Sequence, residues 1–377
     1  MADIGLPAPA SGMEGGARPA FASRLNRLAA SRGFQRFCAR VPVLRRLVRA
    51  EGAELFDIMQ GFVRSQVLMA LVELRVLHRL AEAPAGAEAL AGPLGVPAPR
   101  LQVLLQAGAA LRLLRRRRRD GAFALTTRGA AFLGVPGLEA MVRHHGVLYG
   151  DLADPRAFFE GRTDPALARF WPYVLGGEGG ADQAARYSRL MAESQALVAE
   201  ETLRQLPLAG IAHLMDVGGG TGAFLRAVHA QAPQLKLTLF DLPQVVAAAA
   251  LPADVARIGG SFRDGDLPRG ADAISLIRVL YDHDDATVAA LLDAVHAALP
   301  AGGRLILSEP MSGGARPDPQ TDVYFAVYTL AMKTGRTRSA AEHEAQLQAR
   351  GFSRIKRYAA ARPYVTTLIS AVRGGSA

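Results

Sequence analysis

Cysteine is nearly missing from this 377-residue chain, with Cys38 the only one. A lone thiol excludes an intrachain disulfide framework and a thiolate metal centre, and nothing in the cysteine usage points to export. Beside Phe34 and Phe37 it reads as a small apolar packing residue. Long apolar runs are missing too. No uninterrupted stretch approaches the ~18 residues a spanning helix needs, so an integral membrane protein is not expected. The opening residues mix Gly, Pro, Ala and acid, without the basic-then-apolar layout of a signal peptide. Residues 1–22 are expected to be disordered and the protein cytoplasmic. No group of His, Cys and carboxylates has convincing metal-ligand spacing, so no metal is expected.

Arginine and apolar residues are plentiful. Half the residues are hydrophobic, enough for a sizeable core, and the length suggests two or three domains at ~150 residues each. A formal charge of +10 favours anionic partners, nucleic acid or phospholipid headgroups. An Arg- and Ala-rich composition is also what a GC-rich genome produces, so the charge alone selects neither.

Residues 25–49 carry basic and apolar side chains at helix-compatible spacing, and Pro42 interrupts any single long helix there. From Glu54 to Leu80 apolar residues recur at three- and four-residue steps, which predicts one long amphipathic helix. A short helix at 87–91 should stop at Gly92-Pro93, and a second is expected over 100–114. Five consecutive arginines at 115–119 and a short strand at 123–126 then complete a winged helix, placed at 23–135. Those arginines read either as an anion-binding patch or, more simply, as a solvated hairpin tip. The preceding helix, rich in Leu101, Val103, Leu104 and Leu105, offers few side chains for base edges, so no nucleic acid is expected. Residues 136–206 read as linking helices. Over 207–377 strand-like and helical runs alternate, which predicts an α/β domain with a Rossmann-like, doubly wound parallel sheet. Runs at 352–358 and 364–371 would close it as two strands, the last antiparallel.

The sharpest motif is Asp216-Val217-Gly218-Gly219-Gly220-Thr221-Gly222, between an apolar strand and a helix. Such a turn opens a polar crevice at the carboxyl edge of the sheet. Dinucleotide enzymes use one as well. Asp216, however, ends the strand just before the glycines, where a carboxylate suits a cationic amine better than a pyrophosphate. Asp241, 25 residues on in Phe240-Asp241-Leu242-Pro243, can accept both hydroxyls of a ribose. Together they indicate S-adenosylmethionine, which carries an amine and a ribose but no phosphate.

These residues resemble the plant-type dimeric S-adenosylmethionine-dependent O-methyltransferases, over nearly the whole chain. The likeness is carried by the glycine motif, by Phe240-Asp241-Leu242-Pro243, by Gly259-Gly260-Ser261-Phe262 and by Arg278-Val279-Leu280-Tyr281-Asp282-His283-Asp284-Asp285. Within that family it looks most like the purple-bacterial enzymes for acyclic carotenoids, the hydroxyneurosporene and demethylspheroidene type. Glu51-Gly52-Ala53-Glu54-Leu55-Phe56-Asp57, Arg169-Phe170-Trp171-Pro172-Tyr173 and Arg186-Tyr187-Ser188-Arg189-Leu190-Met191-Ala192 carry this closer likeness. The resemblance implies that the winged-helix domain dimerises, giving a homodimer. It implies cofactor contacts from Asp216, Gly218, Gly220, Asp241, Leu242, Ser261, Phe262 and Arg278. Tyr187, Met191 and Gln195 would line the pocket. At Ser261 and Phe262 the family usually has Asp and Met, and at Arg278 plant enzymes commonly have Lys. The family's catalytic His falls on Tyr281. Of the two acids that flank that His, Glu309 remains and the other position is Thr337.

Methyl transfer to oxygen is an in-line displacement that depends on positioning and desolvation. The type of acceptor implied by the resemblance, a tertiary alcohol, is too weak an acid for prior ionisation by imidazole, so a base need only take the proton late. Tyr281 is a poor base and could instead orient the hydroxyl. His283 has a better pKa, but it stands two residues beyond the family position, where the family has Trp. His144 and His145 lie on a helix that in this family lines the substrate pocket. Asp284 and Asp285 most simply cap the helix that follows. Phe158, Phe159, Phe170, Trp171, Tyr173, Tyr324, Phe325 and Tyr328 could line an apolar channel for a hydrophobic small-molecule substrate. Peripheral membrane contact through the basic surface would then let such a substrate enter. A small phenol, a polyketide or a tetrapyrrole carbon as acceptor stays open, as does a DNA-binding regulator that merely holds the cofactor.

Overall fold

The computed structural model describes residues 24–170 and 195–375. The expected pocket residues Tyr187 and Met191 lie outside the described residues, as do Trp171, Tyr173 and the N-terminal segment expected to be disordered. The chain divides after Val67 into two compact units. In the first, helices α1 (Arg24–Ala29), α2 (Arg32–Arg40) and α3 (Pro42–Met59) follow one another. Ser31 caps α2, its hydroxyl accepting from the Phe34 N–H at 3.2 Å. Pro42 opens α3 at a position whose N–H would have no helical partner. Helix α4 (Gly61–Glu73) crosses the unit boundary. The single helix expected over 54–80 is therefore three: α3 ends before Gln60, and Arg75, at φ 53°, separates α4 from α5 (Val76–Glu82). Apolar spacing survives these breaks, which is why periodicity alone did not show them. Among the described residues no single helix is long and apolar enough to cross a membrane, and only the bent pair α3–α4 reaches the length.

In the second unit α5, α6 (Ala87–Leu94) and α7 (Ala98–Ala110) lead into the antiparallel strands β1 (Leu114–Arg116) and β2 (Phe123–Leu125). This is the expected winged helix, with two shifts. Pro93 lies inside α6, which stops only at Gly95 in the left-handed region, and α7 ends four residues early because Leu114 begins the wing. Leu71, Leu77, Leu101, Leu105, Leu114 and Phe123 form its buried interior. Next come α8 (Thr127–Gly134), α9 (Leu138–Asp151) and α10 (Pro155–Phe159), a 3-10 turn (Ala166–Phe170), and helix α11 over 195–205.

Among the described residues the α/β part holds a seven-stranded sheet in the order β5-β4-β3-β6-β7-β9-β8. Strands β3 (His213–Val217), β4 (Lys236–Asp241), β5 (Ala256–Gly259), β6 (Ala273–Ile277) and β7 (Arg304–Glu309) are parallel. Strand β9 (Thr367–Arg373) runs antiparallel between β7 and β8 (Phe352–Arg357). Successive residues of the central strands feed two separate apolar cores, Leu214 and Ile306 one, Met215 and Leu305 the other. That two-sided burial explains the near-continuous apolar runs. Helices α12 (Ala223–Gln231), α13 (Pro243–Ala247), α14 (Asp285–Ala298), α15 (Ala326–Met332) and α16 (Ala340–Ala349) complete the domain. The chain leaves β3 for β4 on one side and reaches β6 on the other, so the glycine turn after β3 stands where the order reverses, the usual place for a ligand.

Candidate active site at the carboxyl edge of the sheet

Asp216 is fully buried at the end of β3. One carboxylate oxygen accepts from the Ser275 hydroxyl at 2.6 Å; Oδ2 is buried without a hydrogen-bond partner among the described residues. Burial, helped by the nearby Asp241 charge, pushes this carboxyl up to about 7. The turn then passes so close that a Cβ on Gly219 would stand 2.4 Å from that Oδ2. At Gly222, φ is 79° and a Cβ would meet Leu251 at 2.6 Å, so only glycine lets α12 start there. The Gly218 N–H donates to the Phe240 carbonyl at 2.8 Å, tying the turn to β4. Asp241 ends β4 and accepts from the Gly220 and Leu242 N–H groups, each at 2.7 Å; burial raises its pKa and these two bonds oppose the rise.

After β5, Ser261 accepts from the Arg263 N–H at 3.2 Å and caps a 3-10 turn (Phe262–Asp264). The Phe262 ring meets the His283 ring edge-on, centroids 5.2 Å apart, and Arg263 lies 3.4 Å from His283 Nδ1. Burial first, then the Arg263 charge, lowers His283 to about 4. The structure thus brings His283 to Ser261 and Phe262. Arg278 goes the other way. Its φ is 56°, its guanidinium donates to the Val365 carbonyl at 2.8 Å and lies 5.2 Å from the Phe325 ring centre, and its Nε is buried without a partner among the described residues. The resemblance groups it with the cofactor residues, but its side chain lies with the aromatic cluster.

Tyr281 is buried in a 3-10 turn (Leu280–Asp282), edge-on to Phe325. Burial, then the neighbouring Asp282, holds its phenol well above the usual range. Asp282 is not among the expected site residues. It is buried, its Oδ1 has no partner among the described residues, and burial with the Glu309 charge pushes its carboxyl well up against the pull of Arg278. Glu309, at the end of β7, accepts from the Val279 and Leu280 N–H groups at 2.8 and 2.7 Å and from Tyr281 N–H at 3.4 Å. Burial still lifts it to about 7. Thr337 is half-buried, and next to it Arg338 is fully buried, donating to the Leu280 carbonyl at 2.9 Å, the His283 carbonyl at 3.0 Å and Asp285 at 2.7 Å. Asp284 caps α14 by accepting from the Thr287 N–H at 2.7 Å.

On α9, His144 Nε2 lies 2.8 Å from the Tyr328 hydroxyl and His145 Nε2 lies 2.8 Å from the Tyr324 hydroxyl. Burial lowers both imidazoles, His144 to about 4, so both are neutral at pH 7. The tyrosines belong to a π-turn (Thr321–Phe325) and to α15, with ring centres 6.0 Å apart. Phe158 and Leu167 are buried in the same cluster, whereas Phe159 is exposed. Among the described residues no group of His, Cys and carboxylates could hold a metal.

Residues 149–353 match the O-methyltransferase domain family and residues 56–134 the O-methyltransferase dimerisation domain. The chain is 60% identical over 365 residues to demethylspheroidene O-methyltransferase of Cereibacter sphaeroides, covering 94% of this chain and 96% of that one. To the protein of the same name from Rhodobacter capsulatus it is 53% identical, with 95% and 92% covered. Human N-acetylserotonin methyltransferase, solved with S-adenosylmethionine, shares the fold at a TM-score of 0.72 and 24% identity, covering 86% of this chain and 98% of that one. A buried carboxylate under a side-chain-free turn, a second at the next strand end, and matches over almost the full length lead to one assignment: the chain belongs to the S-adenosylmethionine-dependent O-methyltransferases that carry a dimerisation domain.

Proposed function

We propose that the acceptor is the tertiary 1-hydroxyl of an acyclic carotenoid of the demethylspheroidene type, methylated by a homodimer in the cytoplasm. The observation that carries this is the 60% identity, across 94% of the chain, with a demethylspheroidene O-methyltransferase. The dimer is supported by Leu55, Phe56, Ile58, Met59 and Phe62, all more than half exposed and clustered where the match to the dimerisation domain begins.

The residues present fit the cofactor. Asp216 offers a buried oxygen, unpartnered among the described residues, beside Gly219, which suits an ammonium group, and Asp241 offers a carboxylate for two ribose hydroxyls. Gly218, Gly220 and Leu242 supply the surrounding backbone, and Ser261, Phe262 and His283 a wall for the adenine. S-adenosylmethionine supplies an electrophilic methyl group on a sulfonium that departs as a neutral thioether. The chain's own residues aim the hydroxyl, exclude water and receive its proton. Tyr281, held un-ionised, orients the hydroxyl and takes no proton. Each neutral histidine of α9 already holds a tyrosine hydroxyl, so a proton lost late from the acceptor passes by way of Tyr324 to His145 or Tyr328 to His144. Arg278 and Asp282 add polar groups to the same region. Membership in an enzyme family displaces the reading as a catalytically silent DNA regulator.

Incubation with methyl-labelled S-adenosylmethionine, separately with a detergent-dispersed hydroxylated acyclic carotenoid, a lipid extract and a library of phenols, tests this. Label is expected in a carotenoid methyl ether. Label in a phenol ether, a polyketide or a tetrapyrrole carbon, with the carotenoid unmodified, overturns it.

A further inference from the structure

Between Arg24 and Ala50 the chain has eight arginines and no acidic residue. All eight arginines are exposed, together with Leu28, Phe37, Val43 and Leu47. The two kinds of side chain are sorted. In α2, Arg32, Arg36 and Arg40 recur every fourth residue along one stripe, with Phe37 to its side. In α3, Arg45, Arg46 and Arg49 share one flank, and Val43 and Leu47 project from the other. The segment lies outside the 56–134 match to the dimerisation domain.

We propose that residues 24–50 form a membrane-docking surface for anionic phospholipid, with arginines among the headgroups and the apolar side chains below them. Charge complementarity selects this occupant. A second copy of the segment would bring sixteen like charges together with no acid between them. Nucleic acid would meet the arginines and leave Phe37, Val43 and Leu47 in water. The wing is the weaker candidate: Arg117 and Arg119 are paired with Asp120, and among the described residues no exposed large apolar side chain accompanies it. The surface stands on its own residues; its purpose, access to a lipid-dissolved acceptor, rests on the function proposed above.

Flotation of the full chain with phosphatidylcholine vesicles, with and without phosphatidylglycerol, tests the assignment. Binding is expected to the anionic vesicles alone and to fade in high salt. Arg32→Gln/Arg36→Gln/Arg40→Gln should weaken it by on the order of a hundredfold, each near-surface charge being worth roughly fivefold. Phe37→Ser/Leu47→Ser should weaken it at unchanged charge, and Arg115→Gln/Arg118→Gln should not. Equal binding to neutral vesicles overturns the proposal, as does loss only in the wing variant, preference for duplex DNA over vesicles, or dissociation of the dimer by the arginine variant. Methylation of detergent-dispersed carotenoid should be unchanged in all three variants. Wild-type flotation without that activity defeats the acceptor reading and leaves the surface; activity without flotation defeats the surface alone.

Discussion

Asp216 carries a proton or a charge according to what lies beside it. Its carboxyl is lifted to about 7 by burial and by Asp241, so it is largely neutral below that pH and an anion above it. A cationic amine is held by the anion, so protonation must compete with cofactor binding. Affinity for S-adenosylmethionine should therefore rise with pH, by up to about tenfold per unit below pH 7, and level off above it. Calorimetry across that range reads the slope directly, and Asp216→Asn should give weaker binding with a flatter profile. The acceptor side makes a different demand on single residues. Tyr281→Phe should bind cofactor normally and keep measurable activity, because the role proposed for the phenol is to orient the hydroxyl and not to take its proton. His145→Ala or His144→Ala should lose most of its turnover, by on the order of a hundredfold if the imidazole is the proton's destination. Loss of cofactor binding in Tyr281→Phe, or unchanged turnover in both variants and in His283→Ala, speaks against that division.

The loop from Arg278 to Asp285 is the element on which these residues depend. Glu309 holds it from β7 and Arg338 from the segment before α16, and Gly335 passes so close that a Cβ there would stand within 2.0 Å of the Tyr281 carbonyl oxygen. Gly335→Ala should therefore lower kcat on the acceptor while cofactor affinity stays near wild type, a split that steady-state kinetics beside calorimetry resolves. Arg338→Ala, which strands two buried carbonyls, should cost roughly 3 kcal/mol of stability by chemical denaturation. Elements differed in how legible they were. Strands β3, β4, β6 and β7 announce themselves because both faces are buried; β5 does not, because all four of its residues are exposed. The glycine turn and its two aspartates could be read from adjacent residues. The His–Tyr pairs could not: their partners are 179 and 184 residues apart, and only the folded chain brings them together. Nor does a local motif say that Arg278 turns toward Phe325, that Glu309 binds peptide groups, or that Asp282 has an oxygen unpartnered among the described residues.

At the scale of the molecule, exposed apolar side chains near residue 56 call for a second copy. Light scattering should give twice the monomer mass, and Phe56→Ser/Phe62→Ser should shift the species toward monomer. The basic helices at 24–50, proposed to dock on lipid, and the dimerisation region that begins just after them would divide two tasks between consecutive stretches of chain. A comparable separation exists at the catalytic end. Every contact by which Glu309 grips the loop is to a backbone N–H, and Arg338 takes the carbonyls of Leu280 and His283. None of these bonds consults the side chains at 281 or 283. A mount that holds only peptide groups tolerates exchange of whatever it presents. Tyr281→His should accordingly melt within a few degrees of the parent, and a drift in acceptor chemistry at this site can begin with a single codon while the scaffold around it stays as it is.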